Sequence, residues 1–135
     1  MRKRVYIAGP ISKGDLAHNV NQGTAAFVAL AKAGFAPWCP HWSVYAKPAS
    51  WFPHEEPAEG AGVFCEATVT GNDEMTHADW MGIDLPWVGV ADCVLRLPGE
   101  STGADEECRH AAARGIPVFT TVEECVAWAA AGVAA

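Results

Sequence analysis

The sequence predicts an α/β fold: a three-layer sandwich around a parallel sheet of roughly four or five strands. Two observations carry it. Short apolar runs of strand length alternate with helical-period segments along the 135 residues. One stretch, Ala91–Phe119, also reads as a complete strand–loop–helix–strand unit. Its first strand, Ala91–Leu97, alternates small and branched apolar residues and stops at Pro98-Gly99. Ser101 or Thr102 suits the cap of a helix over Gly103–Arg114, closed by a left-handed Gly115. Ile116–Phe119 follows as a short buried strand. A parallel unit of about thirty residues is right-handed, and ligands in such sheets sit beyond the carboxyl ends of the strands.

The remaining elements follow in order. Arg4–Ala8 is a strand ended by Gly9-Pro10, and a loop through Asp15 leads to a helix capped by Asp15 or Asn19. Val20, Phe27 and Ala31, flanked by Thr24 and Leu30, give that helix an apolar stripe, and Gly34 closes it. Phe35–Pro40 is a second strand, held to an edge by its prolines. From Ser43 to Thr76 the periodicity dissolves into an aromatic-rich excursion of about 43–76, read as a packed lid or an oligomer contact with a hairpin over Gly60–Phe64 and Ala67–Thr70. Met75–Val90 returns to helical spacing, with Trp80, Ile83, Trp87 and Val90 on one face. Pro86 costs about 3 kcal/mol in a helix interior, which predicts a break near Asp84-Leu85. Val122–Ala131 is a last helix, capped by Thr120 or Thr121, with Glu123 and Glu124 in its first turn.

Composition bounds the function. The length fits a single domain over 1–135. Half the residues are hydrophobic and the net charge is −7. That charge argues against a nucleic acid polymer, which needs clustered cations, but leaves a single small nucleotide open. The amino-terminal apolar run of about five residues is too short for a signal peptide or a membrane span, so no membrane association is expected. Five cysteines without a CxxC pair suit reduced thiols in a cytoplasmic protein. Cys39, His41, His54 and Cys65 match no standard zinc spacing, so no metal is expected. GPISKG has neither dinucleotide nor P-loop spacing, which argues against nicotinamide and ATP and leaves no cofactor expected.

The acids narrow the chemistry. At about 100° per residue, Ala104, Cys108, Ala111 and Ala112 form the stripe of the Gly103–Arg114 helix that faces the sheet. Asp105 and Glu106 then point to solvent, while Glu107 lies on the flank and can look into the crevice. The helix amino terminus favours its ionised form. The same position also suits an acid that only interacts with the helix dipole. Ser101 and Gly103 precede it in a loop whose hydroxyl and amides could hold an anion or a sugar. Asp84 falls at the expected helix break, where it is a second functional acid or an ordinary cap for the turn at Leu85-Pro86. His41 ends the second strand and is expected to face the crevice and hydrogen-bond a substrate.

VYIAGPISKGD with Asn19-Val20, FAPWCPH, DWMGIDLPWVGVADCVLRLPGESTGADEE and GIPVF together resemble the nucleoside 2-deoxyribosyltransferase family, most closely its small nucleotide N-glycosidase branch. The most specific part is the S-x-G-x-x-x-E spacing of Ser101, Gly103 and Glu107 directly after a strand. The resemblance implies a flavodoxin-like Rossmann sheet and a homo-oligomer, dimer or larger. It implies that Glu107 is a nucleophile toward the anomeric carbon of a nucleoside or its 5′-monophosphate, and that Asp84 protonates the leaving base. It also implies that Gly9, Pro10, Ile11 and Ser12 line the site and that Ser101 binds a 5′-phosphate. The chain departs from the family at Pro10, at Arg96 and Pro98, and in the 43–76 excursion. The residues suit this chemistry in their own right: an oxocarbenium-like state needs an anion under the ring and an acid at the leaving group, about 5 Å apart in retaining sugar hydrolases. A raised pKa beside Trp80 and Trp87 would keep Asp84 protonated. A catalytically silent nucleotide-binding module and a structural subunit are the alternatives on the same fold.

Overall fold

The computed structural model describes residues 1–46 and 75–133. Four strands, β1 (Arg4–Ala8), β2 (Ala36–Trp38), β3 (Cys93–Arg96) and β4 (Val118–Phe119), form one parallel sheet in the order β2-β1-β3-β4. Four helices connect and follow them: α1 (Leu16–Lys32), α2 (His77–Val90), α3 (Thr102–Ala113) and α4 (Val122–Val133). This is the expected α/β architecture, and it agrees with a flavodoxin-like three-layer fold. β1 is central because it is apolar on both sides, with Val5 through Ala8 all buried. Alternation splits those residues between two cores. Val5 and Ile7 pack with Cys93 and Leu95 against Leu30 of α1 and Cys125 of α4. Tyr6 and Ala8 pack with Val94 against Val88 of α2 and Ala104 and Ala111 of α3. Among the described residues no helix is long and apolar enough to cross a membrane.

The chain leaves β1 toward β2 on one side and returns to β3 on the other. The order therefore reverses between β1 and β3, and the loops after these two strands meet at their carboxyl ends. A crevice at that switch point is what such a sheet provides.

Several local expectations change. Asp15 caps α1, accepting from the His18 amide at 3.1 Å. Its buried stripe is Asn19, Gly23, Ala26 and Leu30 rather than Val20, Phe27 and Ala31, which are only half-buried. β2, β3 and β4 are shorter than their apolar runs, because each run extends into its flanking turn. Pro40–Ala46 forms a 3-10 turn rather than entering an irregular excursion at Ser43. The rest of that excursion, with its proposed hairpin, lies outside the described residues.

α2 is unbroken through Pro86. The proline ring would crowd the carbonyl four residues back, on Gly82. Both Gly82 and Pro86 are exposed, so water can satisfy that carbonyl. A capping box formed by Thr76 and Asp79 holds the other end of the helix. The buried stripe of α2 is Met81 and Val88, with half-buried Asp84 between them, whereas Ile83, Trp87 and Val90 are exposed. On α3, Ala104 and Ala111 are buried as expected. Ala112 is exposed, and Glu107 takes its place in the buried stripe.

Candidate active site

The sequence of α3 starts the site. Ser101 is the N-cap, with extended backbone, and its Oγ accepts from the Ala104 amide at 3.1 Å. The hydroxyl proton remains available to donate, and the amides of Thr102 and Gly103 have no intrahelical partner at a helix start. These three residues line a crevice of ≈ 290 Å³. Gly9, Ile11, Ser12 and Lys13 of the β1–α1 loop form a second wall. The third is α2, through His77, Trp80, Met81 and Asp84. Glu107 faces the same space from the second turn of α3.

Two polar contacts hold the β1–α1 loop. The buried Asn19 side chain donates to the carbonyls of Ile11 at 3.0 Å and Lys13 at 2.8 Å. Across the mouth, Lys13 pairs with Glu100 at 2.7 Å, and His77 meets Glu106 at 3.3 Å between α2 and α3. Gly99 has a φ of +113°, and a Cβ there would come within 2.8 Å of Pro10 Cγ. Pro10 is thus buried against the β3–α3 loop, and this packing joins the two loops.

Of the expected site residues, the structure brings Glu107, Asp84, Gly9, Ile11, Ser12, Ser101 and Gly103 to one crevice. Two are placed elsewhere. Pro10 packs beneath the loop rather than lining the crevice. His41 is completely buried, because the 3-10 turn folds it back under the end of β1 instead of pointing it along the strand. A Cβ on Gly23 would lie 2.8 Å from His41 Cγ, and one on Gly9 would lie 3.3 Å from its Nε2. Burial lowers the His41 pKa, opposed by the nearby Pro10 carbonyl, so the ring is neutral. Neither ring nitrogen finds a hydrogen-bond partner among the described residues.

The electrostatics of the two acids correct a further expectation. Glu107 is only 6% exposed, and one carboxyl oxygen is buried without a partner among the described residues. Burial first, and the Asp84 charge second, push its pKa up to about 8, against smaller opposing effects of Tyr6 and Arg96. Burial alone raises Asp84 to about 6. Asp84, less deeply buried, ionises first and its charge then holds the proton on Glu107. Near neutral pH the pair carries one proton, held preferentially by Glu107. Glu107 is thus not held ionised as its place near the helix amino terminus suggests, because burial and Asp84 outweigh the opposing effects of Tyr6 and Arg96.

Tyr6 is the residue that sequence reasoning missed. It was visible only as a strand residue, but its hydroxyl is buried beside both acids, and burial, then Glu107 and Asp84, raise its pKa. The hydroxyl is near enough to favour the Glu107 carboxylate yet falls outside hydrogen-bond geometry, leaving it and Glu107 Oε2 without a partner among the described residues. A tyrosine amid β1 neighbours that are otherwise apolar was the one available signal. Comparison of the chain with protein-family models, with curated proteins and with solved structures gives no match.

Proposed function

We propose that the protein cleaves or transfers the N-glycosidic bond of a (deoxy)nucleoside or its 5′-monophosphate, through a glycosyl-enzyme on Glu107. The supporting observation is that two carboxyls with raised pKa values, on separate helices, line one crevice beside an open helix amino terminus. The resemblance to nucleoside deoxyribosyltransferases supports the same assignment. Groups whose environments shift their titration in this way suit proton transfer and covalent catalysis at a sugar.

In this reading the sugar lies between α2 and α3, with its 5′ end toward Ser12, Ser101 and the Gly103 amide. The proton resting on Glu107 passes to Asp84 as the substrate enters. The Glu107 carboxylate then bonds to the anomeric carbon while the glycosidic bond breaks. Its electron pair leaves with the base nitrogen, which takes the proton from Asp84. Water completes hydrolysis by attacking the same carbon, with Asp84 accepting its proton and Glu107 departing as carboxylate. A second base in place of water gives transfer.

Incubation with a panel of nucleosides and 5′-monophosphates, with chromatography of the released base, tests the reading. Release that is lost in folded Glu107→Ala supports it, and mass spectrometry of a trapped 2-fluoro-sugar adduct identifies the attacking carboxylate. A second reading, a non-catalytic nucleotide-binding module, is favoured by the raised pKa of Glu107, which holds its carboxyl protonated near neutral pH. Tight nucleotide binding with no base released from any member of the panel selects it.

We also propose a homo-oligomer in the cytoplasm. The exposed face of Trp38, Ile83, Trp87 and Val90 supports the oligomer, and the free cysteines among the described residues support the compartment. Patches of this kind mark interaction sites more often than ordinary surface.

A further inference from the structure

Arg96 is the last residue of β3 and points to the α3 side of the sheet, where an apolar residue would continue the alternation. Its guanidinium makes three separate contacts. One nitrogen donates to the Leu97 carbonyl, and the other donates to the Gly99 carbonyl at 3.0 Å and to the Asp105 carboxylate at 3.1 Å. The side chain is only 17% exposed, so its planar fork is held in place rather than sampling solvent. The first two contacts fix the turn after β3, and the third ties that turn to the first turn of α3. The same turn carries Gly99, which packs on Pro10, and ends at the Ser101 cap.

We propose that Arg96 is a positioning residue of the site: it clamps the Leu97–Gly99 turn to α3 and so fixes where the helix amino terminus opens and how α3 presents Glu107. A lysine offers a point charge and could not span two carbonyls and a carboxylate in one plane. What the positioned groups act on rests on the glycosidic reading; the clamp itself does not. Its charge also acts on Glu107. Among the described residues, the groups that act most on that carboxyl are Asp84 on α2, Tyr6 on β1, Arg96 on β3 and Glu106 on α3, and Lys13 of the β1–α1 loop and His77 of α2 line the same crevice. Of the groups that act most on it, Arg96 is the cation.

Amide hydrogen exchange and side-chain carboxyl NMR titration of the full chain test this without any substrate. In Arg96→Met, the Ala104 and Asp105 amides, which donate to Ser101, should exchange about tenfold faster or more while the β1 and β3 amides keep their protection. The Glu107 midpoint should rise by about half a unit. Arg96→Lys should restore the midpoint but not the loop protection. Asp105→Ala removes the α3 arm at an exposed carboxylate and should quicken loop exchange alone, which keeps the proposal open to test should Arg96→Met not fold.

Loop exchange that stays at the wild-type rate in Arg96→Met, or in Asp105→Ala where only that variant folds, overturns the clamp. So does an acceleration spread evenly over the whole chain, or full recovery of loop protection by lysine. A protein that releases no base from any nucleoside would still show the exchange and titration effects. Failure of the glycosidic reading and failure of the clamp are therefore separate results.

Discussion

The Asp84 carboxylate on α2 keeps the proton on Glu107 of α3. Both acids are raised by burial, but the Asp84 charge adds a second upward push to Glu107 alone. Removing that charge in Asp84→Asn should lower the Glu107 midpoint by about one unit, still leaving it above an ordinary glutamate because burial remains. Carboxyl NMR titration of the two proteins measures the difference directly. A midpoint that stays put would mean that the two acids do not sense each other.

Tyr6→Phe should move the same midpoint in the opposite direction. The hydroxyl favours the Glu107 carboxylate, so its loss should raise the midpoint by about half a unit. Stability should barely change, since the hydroxyl is buried without a partner among the described residues and its removal leaves no new orphan there. The combination of a raised midpoint and an unchanged urea transition identifies an electrostatic role for Tyr6.

Glu107 also sets a pH dependence of folding. Its folded pKa of about 8 lies above the ordinary glutamate value of 4.5, so the native state binds the proton more tightly than the unfolded chain. The stability linked to that proton is full below the unfolded value and is lost as pH rises through the folded one. Wild type should therefore weaken between pH 4.5 and about 8. Asp84 contributes in the same direction up to about 6. Glu107→Gln stays neutral and should remove the Glu107 part of the loss. It should be more stable than wild type above the folded pKa by about 2–4 kcal/mol. Urea unfolding across this range tests the sign, and a variant weaker than wild type at the alkaline end refutes it.

The central features of the fold were legible because local and tertiary signals agree there. β1 is an apolar run closed by Gly-Pro, and α3 carries its own cap and a left-handed glycine at its end. α2 misled in two ways. Its most hydrophobic residues, Trp80, Ile83, Trp87 and Val90, make a helical stripe that the structure leaves largely exposed, since the sheet is met by Met81 and Val88 instead. A proline that normally ends a helix is tolerated because its ring and the carbonyl it crowds both face water. The true stripe, Met81–Asp84–Val88, holds an acid on a core-facing side, a stronger functional signal than a helix break. Glu107 was found, but its protonation was misjudged, because the dipole follows from sequence position and desolvation does not. His41 could not be oriented from sequence, as the 3-10 turn that buries it depends on the packing of Gly9 and Gly23.

That packing gives a stability prediction. In Gly23→Ala, the new Cβ would meet His41 Cγ at 2.8 Å and Cys39 Sγ at 3.1 Å. The gain of about 1 kcal/mol in helix propensity is outweighed by overpacking, and a net loss of about 1–2 kcal/mol is expected. Gly82→Ala meets nothing within 4 Å and should instead gain about 0.5–1 kcal/mol. Urea midpoints for the pair separate the two effects, since both replace a helical glycine with the same residue.

The exposed face of α2 gives the last prediction. Trp38 and Trp87 stack with ring centroids 5.4 Å apart and an interplanar angle of 22°, yet each remains about half exposed. Stacking explains why the two rings sit together but leaves their outer surfaces in water, next to Ile83 and Val90. Burial of such aromatic anchors dominates interface energies, with losses of about 2 kcal/mol or more on truncation. Wild type should sediment as a dimer or larger species, and Trp87→Glu, which places a charge at the centre of the face, as a monomer. The crevice lies at the opposite end of α2, lined from His77 to Asp84, so the Glu107 titration should survive the substitution. An oligomer unaffected by Trp87→Glu assigns the contact to another surface, and a monomeric wild type removes the oligomer from the proposal.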